Sequence, residues 1–261
     1  MARLQPQCNP SPTSDLGNHL LITGASGALG RALALYHARP DSALSLWGRN
    51  EERLAKTADA VRMAGADASQ RCLDLTDCEA AVAALIEEDR EAPFDEVYLV
   101  AGIGDVCPPD AIVEAPQQVV RVMETNLTAP AAMAAAIADR MAERGRGRIV
   151  IIGSAAGHHS LPSAASYSAS KAGLARFADA LRIAMKPQGV SVVLVAPGFI
   201  ATETQTRPMA IPVSVAARRI ALAAERGARH YVTPWPFIAL RLLDSLLPAS
   251  LRDRLLARIK P

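Results

Sequence analysis

Cysteine, net charge and long apolar runs are all scarce in this 261-residue chain. Its four cysteines, Cys8, Cys72, Cys78 and Cys107, are too few for a disulfide scaffold. None stands in C-x-x-C spacing, so a zinc site is not expected either. Free thiols in a reducing cytoplasm are the plain expectation. A net charge of +2 gives no whole-chain case for nucleic acid. No stretch reaches 18 uninterrupted apolar residues, so no membrane-spanning helix is expected. Residues 1–18 contain Pro6, Pro10 and Pro12 but no apolar core, which predicts a mobile leader rather than a secretory signal. No internal repeat of fixed period is visible.

Half of the residues are hydrophobic, which excludes disorder for most of the chain. A chain of this length buries roughly three quarters of its unfolded surface, so one domain suffices. Charge is unevenly spread. Residues 201–261 hold ten Lys/Arg against four Asp/Glu, leaving a net of −4 for the other 200 residues.

From His19 onward, short apolar runs alternate with longer amphipathic ones. Strands are predicted at His19–Thr23, Ala43–Trp47, Ser69–Leu73, Glu96–Val100, Arg148–Ile152 and Val190–Val195. Helices are predicted at Ala28–Ala38, Glu51–Ala64, Asp77–Asp89, Ala115–Arg144 and Ser163–Met185. Strands that are apolar on consecutive residues are buried on both faces, as in parallel sheets. The alternation predicts β-α-β units in a doubly wound parallel α/β sheet flanked by helices. Ligands then bind at the carboxyl ends of the strands.

The first strand runs into Thr23-Gly24-Ala25-Ser26-Gly27-Ala28-Leu29-Gly30, and a helix follows. Glycine allows a sharp turn and close approach of a phosphate. The helix N-terminus offers free N–H groups and partial positive charge to a pyrophosphate. The second strand ends Leu46-Trp47-Gly48-Arg49-Asn50, with no acid to hold a ribose 2′-hydroxyl. Arg49 suits a 2′-phosphate instead, which favours NADP(H) over NAD(H).

Tyr167 and Lys171 open a predicted helix four residues apart and share one face. Ser154 ends the fifth strand, at the sheet edge where ligands bind. A free phenol is a poor acid–base at neutral pH. A nearby ammonium is expected to lower its pKa, and a serine hydroxyl can hold a substrate oxygen beside it. These are parts for moving a proton to or from a carbonyl oxygen.

The glycine turn, the serine after the fifth strand and the Y-x-x-x-K pair together resemble the short-chain dehydrogenase/reductase family, over residues 19–202. The resemblance implies a single-domain Rossmann-type fold in the branch of about 250 residues. It implies that Gly24, Ser26, Gly27, Leu29 and Gly30 hold the cofactor diphosphate side. Asp74, followed by Leu75, would meet adenine, and Ala101 and Gly102 would line the cofactor edge. It makes Tyr167 the general acid–base and Lys171 its partner and a ribose contact. Ser154 would position the substrate oxygen, and Asn126 would hold a water linking Lys171 to solvent. Pro197, Gly198, Ile200 and Thr202 fall in the motif that contacts the nicotinamide. Two departures stand out. Position 28 is Ala28 where the shorter branch has glycine, leaving a G-x-x-G-x-x-G spacing that resembles nucleotide-sugar epimerases. Leu99 and Val100 replace two asparagines of the central sheet. The implied activity is NADP(H)-dependent interconversion of a carbonyl and a secondary alcohol. A non-catalytic NADP-binding regulator and a sugar-nucleotide epimerase or dehydratase are the rivals. Family members are commonly homodimers or homotetramers.

His158 and His159 follow the serine loop and are candidates for substrate contact or simple exposure, and Cys107 for the pocket rim. After Thr202, Pro212–Gly227 reads as a helix and His230–Thr233 as a last strand. The remaining tail, with Trp235, Phe237 and leucines opposite arginines, is expected to pack on the body or a dimer mate. A lid over an apolar substrate and a peripheral membrane contact are its other readings.

Overall fold

The computed structural model describes residues 18–104, 107–108, 111–201 and 209–234. The elements are β1 (His19–Thr23), α1 (Ala28–His37), β2 (Ala43–Gly48), α2 (Glu51–Met63), β3 (Asp67–Cys72), α3 (Cys78–Glu91) and β4 (Glu96–Leu99). Then come α4 (Pro116–Met123), α5 (Ala129–Glu143), β5 (Gly147–Ile152), α6 (Ala165–Met185) and β6 (Val190–Pro197). The chain continues through β7 (Ile200–Ala201), β8 (Ile211–Pro212), α7 (Val213–Glu225) and β9 (His230–Thr233).

Seven strands form one parallel sheet in the order β3-β2-β1-β4-β5-β6-β9. Leu20 and Ile22 face one layer, where Leu33, Ala58, Val61 and Ile220 come from α1, α2 and α7. Leu21, between them, faces Leu85, Met133, Ile137 and Leu174 from α3, α5 and α6. The strands are thus buried on both faces, as their unbroken apolar runs predict. The exception is β3, which starts two residues before the predicted strand and ends one earlier. It closes the sheet, and Asp67, Ser69, Gln70 and Cys72 are exposed.

Where helices begin, local chemistry decides. Asn50 Oδ1 accepts the Arg53 N–H at 2.8 Å and caps α2. Asp77 Oδ1 does the same for Ala80, at 3.0 Å, in α3. The helix expected over 115–144 forms in three pieces, with a π-helical turn at Glu124–Thr128 between α4 and α5. Pro130 accounts for it. Proline has no N–H to give the carbonyl of Asn126, four residues back, and its ring crowds that carbonyl. The ladder therefore shifts, and the Ala129 N–H bonds Glu124 O. Single π turns are frequent at functional sites, and this one holds Asn126.

The order of strands reverses between β1 and β4, which leaves a crevice at their carboxyl ends. Thr23 pins that point: its hydroxyl accepts the N–H groups of Val100 (3.0 Å) and Ala101 (3.2 Å). Leu99, where the family has asparagine, is buried in the layer of α3 and α5. The local tie is thus made by Thr23.

Within the basic segment, α7 and β9 appear where expected. Arg218 and Arg226 are exposed, while Arg219 donates to Thr233 Oγ1 at 2.9 Å. The leader up to Gly17, Thr202 in the nicotinamide motif and the tail from Trp235 onward lie outside the described residues. Among the described residues, no helix is long and apolar enough to cross a membrane, and no group of three His, Cys, Asp or Glu side chains could hold a metal.

Candidate active site

A cavity of about 510 Å³ opens at the crevice. Its floor is the β1–α1 turn. Gly24 has a φ of +70°, and a Cβ there would lie 2.9 Å from the backbone of Ala101. A Cβ on Gly30 would run into the carbonyl of Gly24. The two glycines therefore let the turn fold under α1 and against β4 at once. Ala28, at the position of the missing glycine, is simply the first residue of α1 and is exposed. The α1 N-terminus has no side-chain cap, so its N–H groups remain available to an anion.

Ser26, Gly27, Leu29, Arg49, Asp74, Leu75, Ala101 and Gly102 all line this cavity, together with Gly24 and Gly30. Of the lining residues that sequence reasoning missed, three stand out. Arg53 stands in the first turn of α2, where a cation is unfavourable beside the helix dipole. Thr125 is buried and its hydroxyl has no partner among the described residues. Trp47 is a third wall, with its indole N–H 3.0 Å from Ser45 Oγ. Arg53 was findable as a basic residue one helical turn past Arg49. Thr125 carried no signal beyond its place beside Asn126.

Arg49 and Asp74 face each other across the cavity mouth at 3.7 Å, both about half exposed. Asp74 is held below the usual carboxylate range, first by the Thr76 N–H at 3.0 Å and less by Arg49. The arginine is thus loosely tethered and can turn toward a ligand.

The four catalytic candidates gather at the inner end. Asn126 is fully buried, and its side chain clasps Ile103 twice. Oδ1 accepts the Ile103 N–H and Nδ2 donates to Ile103 O, each at 2.8 Å. A Cβ on Gly102 would lie 3.1 Å from Asn126 Oδ1 and 3.4 Å from Lys171 Nζ, so the cavity wall and the lysine adjoin. Lys171 Nζ donates to Ile152 O at 3.0 Å. Ser154 follows β5, accepts the Ala156 N–H at 3.1 Å and shares a hydrogen bond with Tyr167. Pro197, Gly198 and Ile200 leave the end of β6 on the same side of the sheet.

The electrostatics differ from the expectation in one respect. Burial pushes the Tyr167 phenol up, and only the hydrogen bond with Ser154 pulls it down. No lowering by Lys171 accompanies it; the lysine ammonium is itself desolvated and donates to the Ile152 carbonyl. Burial brings Lys171 down to about 8. At neutral pH the phenol therefore holds its proton and can donate it.

Cys107 is buried, its thiol 3.4 Å from Ala111 O and its N–H on Ser163 O at 2.7 Å. It staples two loops. His158 and His159 are partly buried, and the His158 ring lies 5.6 Å from that of His230.

A dinucleotide-sized cleft at a topological switch point, beside a serine–tyrosine–lysine cluster, defines a nicotinamide-dependent oxidoreductase. The comparisons agree. The family profile of the short chain dehydrogenases matches residues 18–210. An uncharacterized oxidoreductase of Myxococcus xanthus is 33% identical over 247 residues, covering 92% of this chain and 96% of that relative. The ketoacyl reductase HetN of Nostoc is 32% identical over 198 residues, 74% of this chain and 67% of that one. A short-chain dehydrogenase from Sphingobium yanoikuyae, solved in complex with NADPH, superposes with a TM-score of 0.78 at 26% identity. That match covers 94% of this chain and 96% of that structure. The chain belongs to the short-chain dehydrogenase/reductase family and is an NAD(P)-dependent oxidoreductase.

Proposed function

We propose that the protein prefers NADP(H) and interconverts a carbonyl compound and a secondary alcohol, with Tyr167 as the proton donor and acceptor. One observation carries this reading. A single cavity has Arg49 and Arg53 and no acid at the tip of β2; its Gly102 wall adjoins Lys171 Nζ, and Ser154 and Tyr167 share a hydrogen bond. The bound cofactor would supply the hydride.

The β1–α1 turn holds the diphosphate on the N–H groups of α1. Arg49 and Arg53 close on the 2′-phosphate, for which two cations are better suited than a neutral hydroxyl needs. Asp74 and Leu75 take the adenine side. Lys171 holds the nicotinamide ribose, and Asn126 keeps the Ile103 wall beside it in place. Pro197, Gly198 and Ile200 would flank the nicotinamide, and Thr202 belongs to the same motif. Ser154 holds the substrate oxygen, and Tyr167 gives that oxygen its proton as the carbon is reduced. The NADPH complex of the Sphingobium relative supports the cofactor class, and the ketoacyl reductase from Nostoc supports a carbonyl substrate. Val120 on α4 and Ile183 on α6 are exposed apolar side chains, which supports association into the expected homodimer or homotetramer.

Tyr167→Phe should cut turnover by about 10²–10⁴-fold, while NADPH titration of tryptophan fluorescence stays within twofold of wild type. An active variant would sink the assignment. Arg49→Glu should weaken NADPH by at least tenfold more than NADH. Equal losses would mean that Arg49 does not meet the 2′-phosphate.

A further inference from the structure

We propose that Glu114 is a positioning residue for Tyr167, acting through the first turn of α6. The inference rests on the reading of Tyr167 given above. Helix α6 starts at Ala165 after Ala164, whose side chain cannot cap it. The missing cap comes from 52 residues away. Glu114 Oε2 accepts the Ser166 N–H at 2.8 Å, and Oε1 accepts the Ser166 hydroxyl at 2.6 Å. Gln118 Nε2 approaches Oε1 at 3.4 Å.

Glu114 is only 9% exposed, and no ion pair holds it among the described residues. A buried carboxylate needs compensation. Here it comes from the first turn of α6 and from Gln118.

The residue that Glu114 grips is the one before Tyr167. On the far side, Ser170 Oγ donates to the Tyr167 carbonyl at 2.8 Å and lies 3.5 Å from Asn126 Nδ2. Tyr167 is therefore clamped along the backbone from both directions. Lys171, one turn further on, has its own anchor on Ile152 O. Loss of the Glu114 clamp should thus displace the phenol relative to Ser154 while leaving the lysine and the cofactor cavity in place. Misplacing a reacting group by about 1 Å can cost on the order of 10²-fold in rate.

The test uses the full chain and a ketone that the wild type reduces with NADPH. Glu114→Ala should lower kcat roughly 10–100-fold, with the KM for NADPH and the fluorescence-derived Kd within twofold. Glu114→Gln keeps an oxygen for the Ser166 N–H and should recover kcat to within about fivefold of wild type. Ile137→Val, a core change on α5 away from the site, controls for lost stability and should leave kcat unchanged. A Glu114→Ala enzyme with undiminished kcat, a loss confined to KM, or no recovery in Glu114→Gln would each overturn the proposal. If Glu114→Ala fails to fold, Glu114→Asp keeps the charge but withdraws the oxygens, and should lower kcat at least fivefold; an unchanged kcat overturns the proposal. Active Tyr167→Phe would instead overturn the reading of Tyr167 itself, so the two failures are distinguishable.

Discussion

The two ends of the parallel sheet treat buried charge in opposite ways. At the carboxyl end, Lys171 is buried against a neutral carbonyl and Tyr167 against a serine hydroxyl. At the amino end, Arg148 is 3% exposed but bonds the Glu96 carboxylate, its partner in the β4–β5 register. Tyr98 donates to the other oxygen of Glu96 at 3.0 Å. His37, at the end of α1, sets its ring tilted against that of Tyr98, with centroids 5.0 Å apart. The amino end neutralises its charges, and the arrangement holds β4, β5 and α1 together. At the carboxyl end the Lys171 ammonium has no counter-charge among the described residues, and the Tyr167 phenol keeps its proton. The buried cation of the candidate site thus lacks a counter-charge, and the buried cation of the amino end has one.

The largest effect should come from breaking the paired end. Arg148→Met strands Glu96, whose carboxyl burial already pushes up while Arg148 pulls it down. Removing one partner of a buried pair costs roughly 3–5 kcal/mol. Chemical unfolding should show that loss, and adding Glu96→Gln should restore most of it. If Arg148→Met were as stable as wild type, the amino-end pair would not be a structural device.

The uncompensated end should give the opposite sign. Lys171→Met removes a desolvated ammonium, so the folded protein should be no less stable at pH 7 although turnover is lost. The pH dependence isolates the group. Below pH 8 both folded and unfolded chains bind the proton, and the burial cost is carried in full. Between 8 and 10.5 the unfolded chain keeps the proton while the folded chain releases it, so stability rises with pH. The wild type should gain roughly 3 kcal/mol on Lys171→Met across that window. Parallel stability curves for the two proteins would show that Lys171 is not buried as an uncompensated cation.

Much of this contrast could be read from sequence at one end only. The glycine turn, Arg49 and the Ser154–Tyr167–Lys171 set announce themselves because their chemistry demands particular residue types at fixed spacings, whereas Asp74 follows only from the family resemblance. The parallel sheet was legible because β1, β5 and β6 are apolar on consecutive residues. What was not legible depends on contacts far apart in the chain. The π turn at Glu124–Thr128 hides inside an alanine-rich helical pattern, and only Pro130 hints at it. Glu114 and Ser166 are 52 residues apart and carry no motif. Glu96 and Arg148 look like ordinary strand-end charges until the register sets them side by side. The upward push on Tyr167 also escaped sequence, because spacing pairs lysine with tyrosine but does not tell how deeply the phenol is buried.

The smallest effect belongs to His37, which tests whether the amino end is neutral by design. Burial, with Arg39 and Arg148 adding to it, brings this histidine down to about 4, from an ordinary value of 6.5. As pH falls from 6.5 to 4, the unfolded chain takes up a proton that the folded chain refuses, so stability falls with pH in that window. His37→Phe keeps a ring against Tyr98 but cannot titrate. The stability difference between wild type and variant should shift by about 2 kcal/mol from pH 7 to pH 4, allowing for the ring's partial exposure. Glu96 titrates in both proteins and cancels in the difference. In an Arg148→Met background the shift should shrink, since one of the cations opposing protonation is gone. A shift unchanged by Arg148→Met would mean that His37 responds to burial and Arg39 only, and that the amino-end groups do not act as one electrostatic unit.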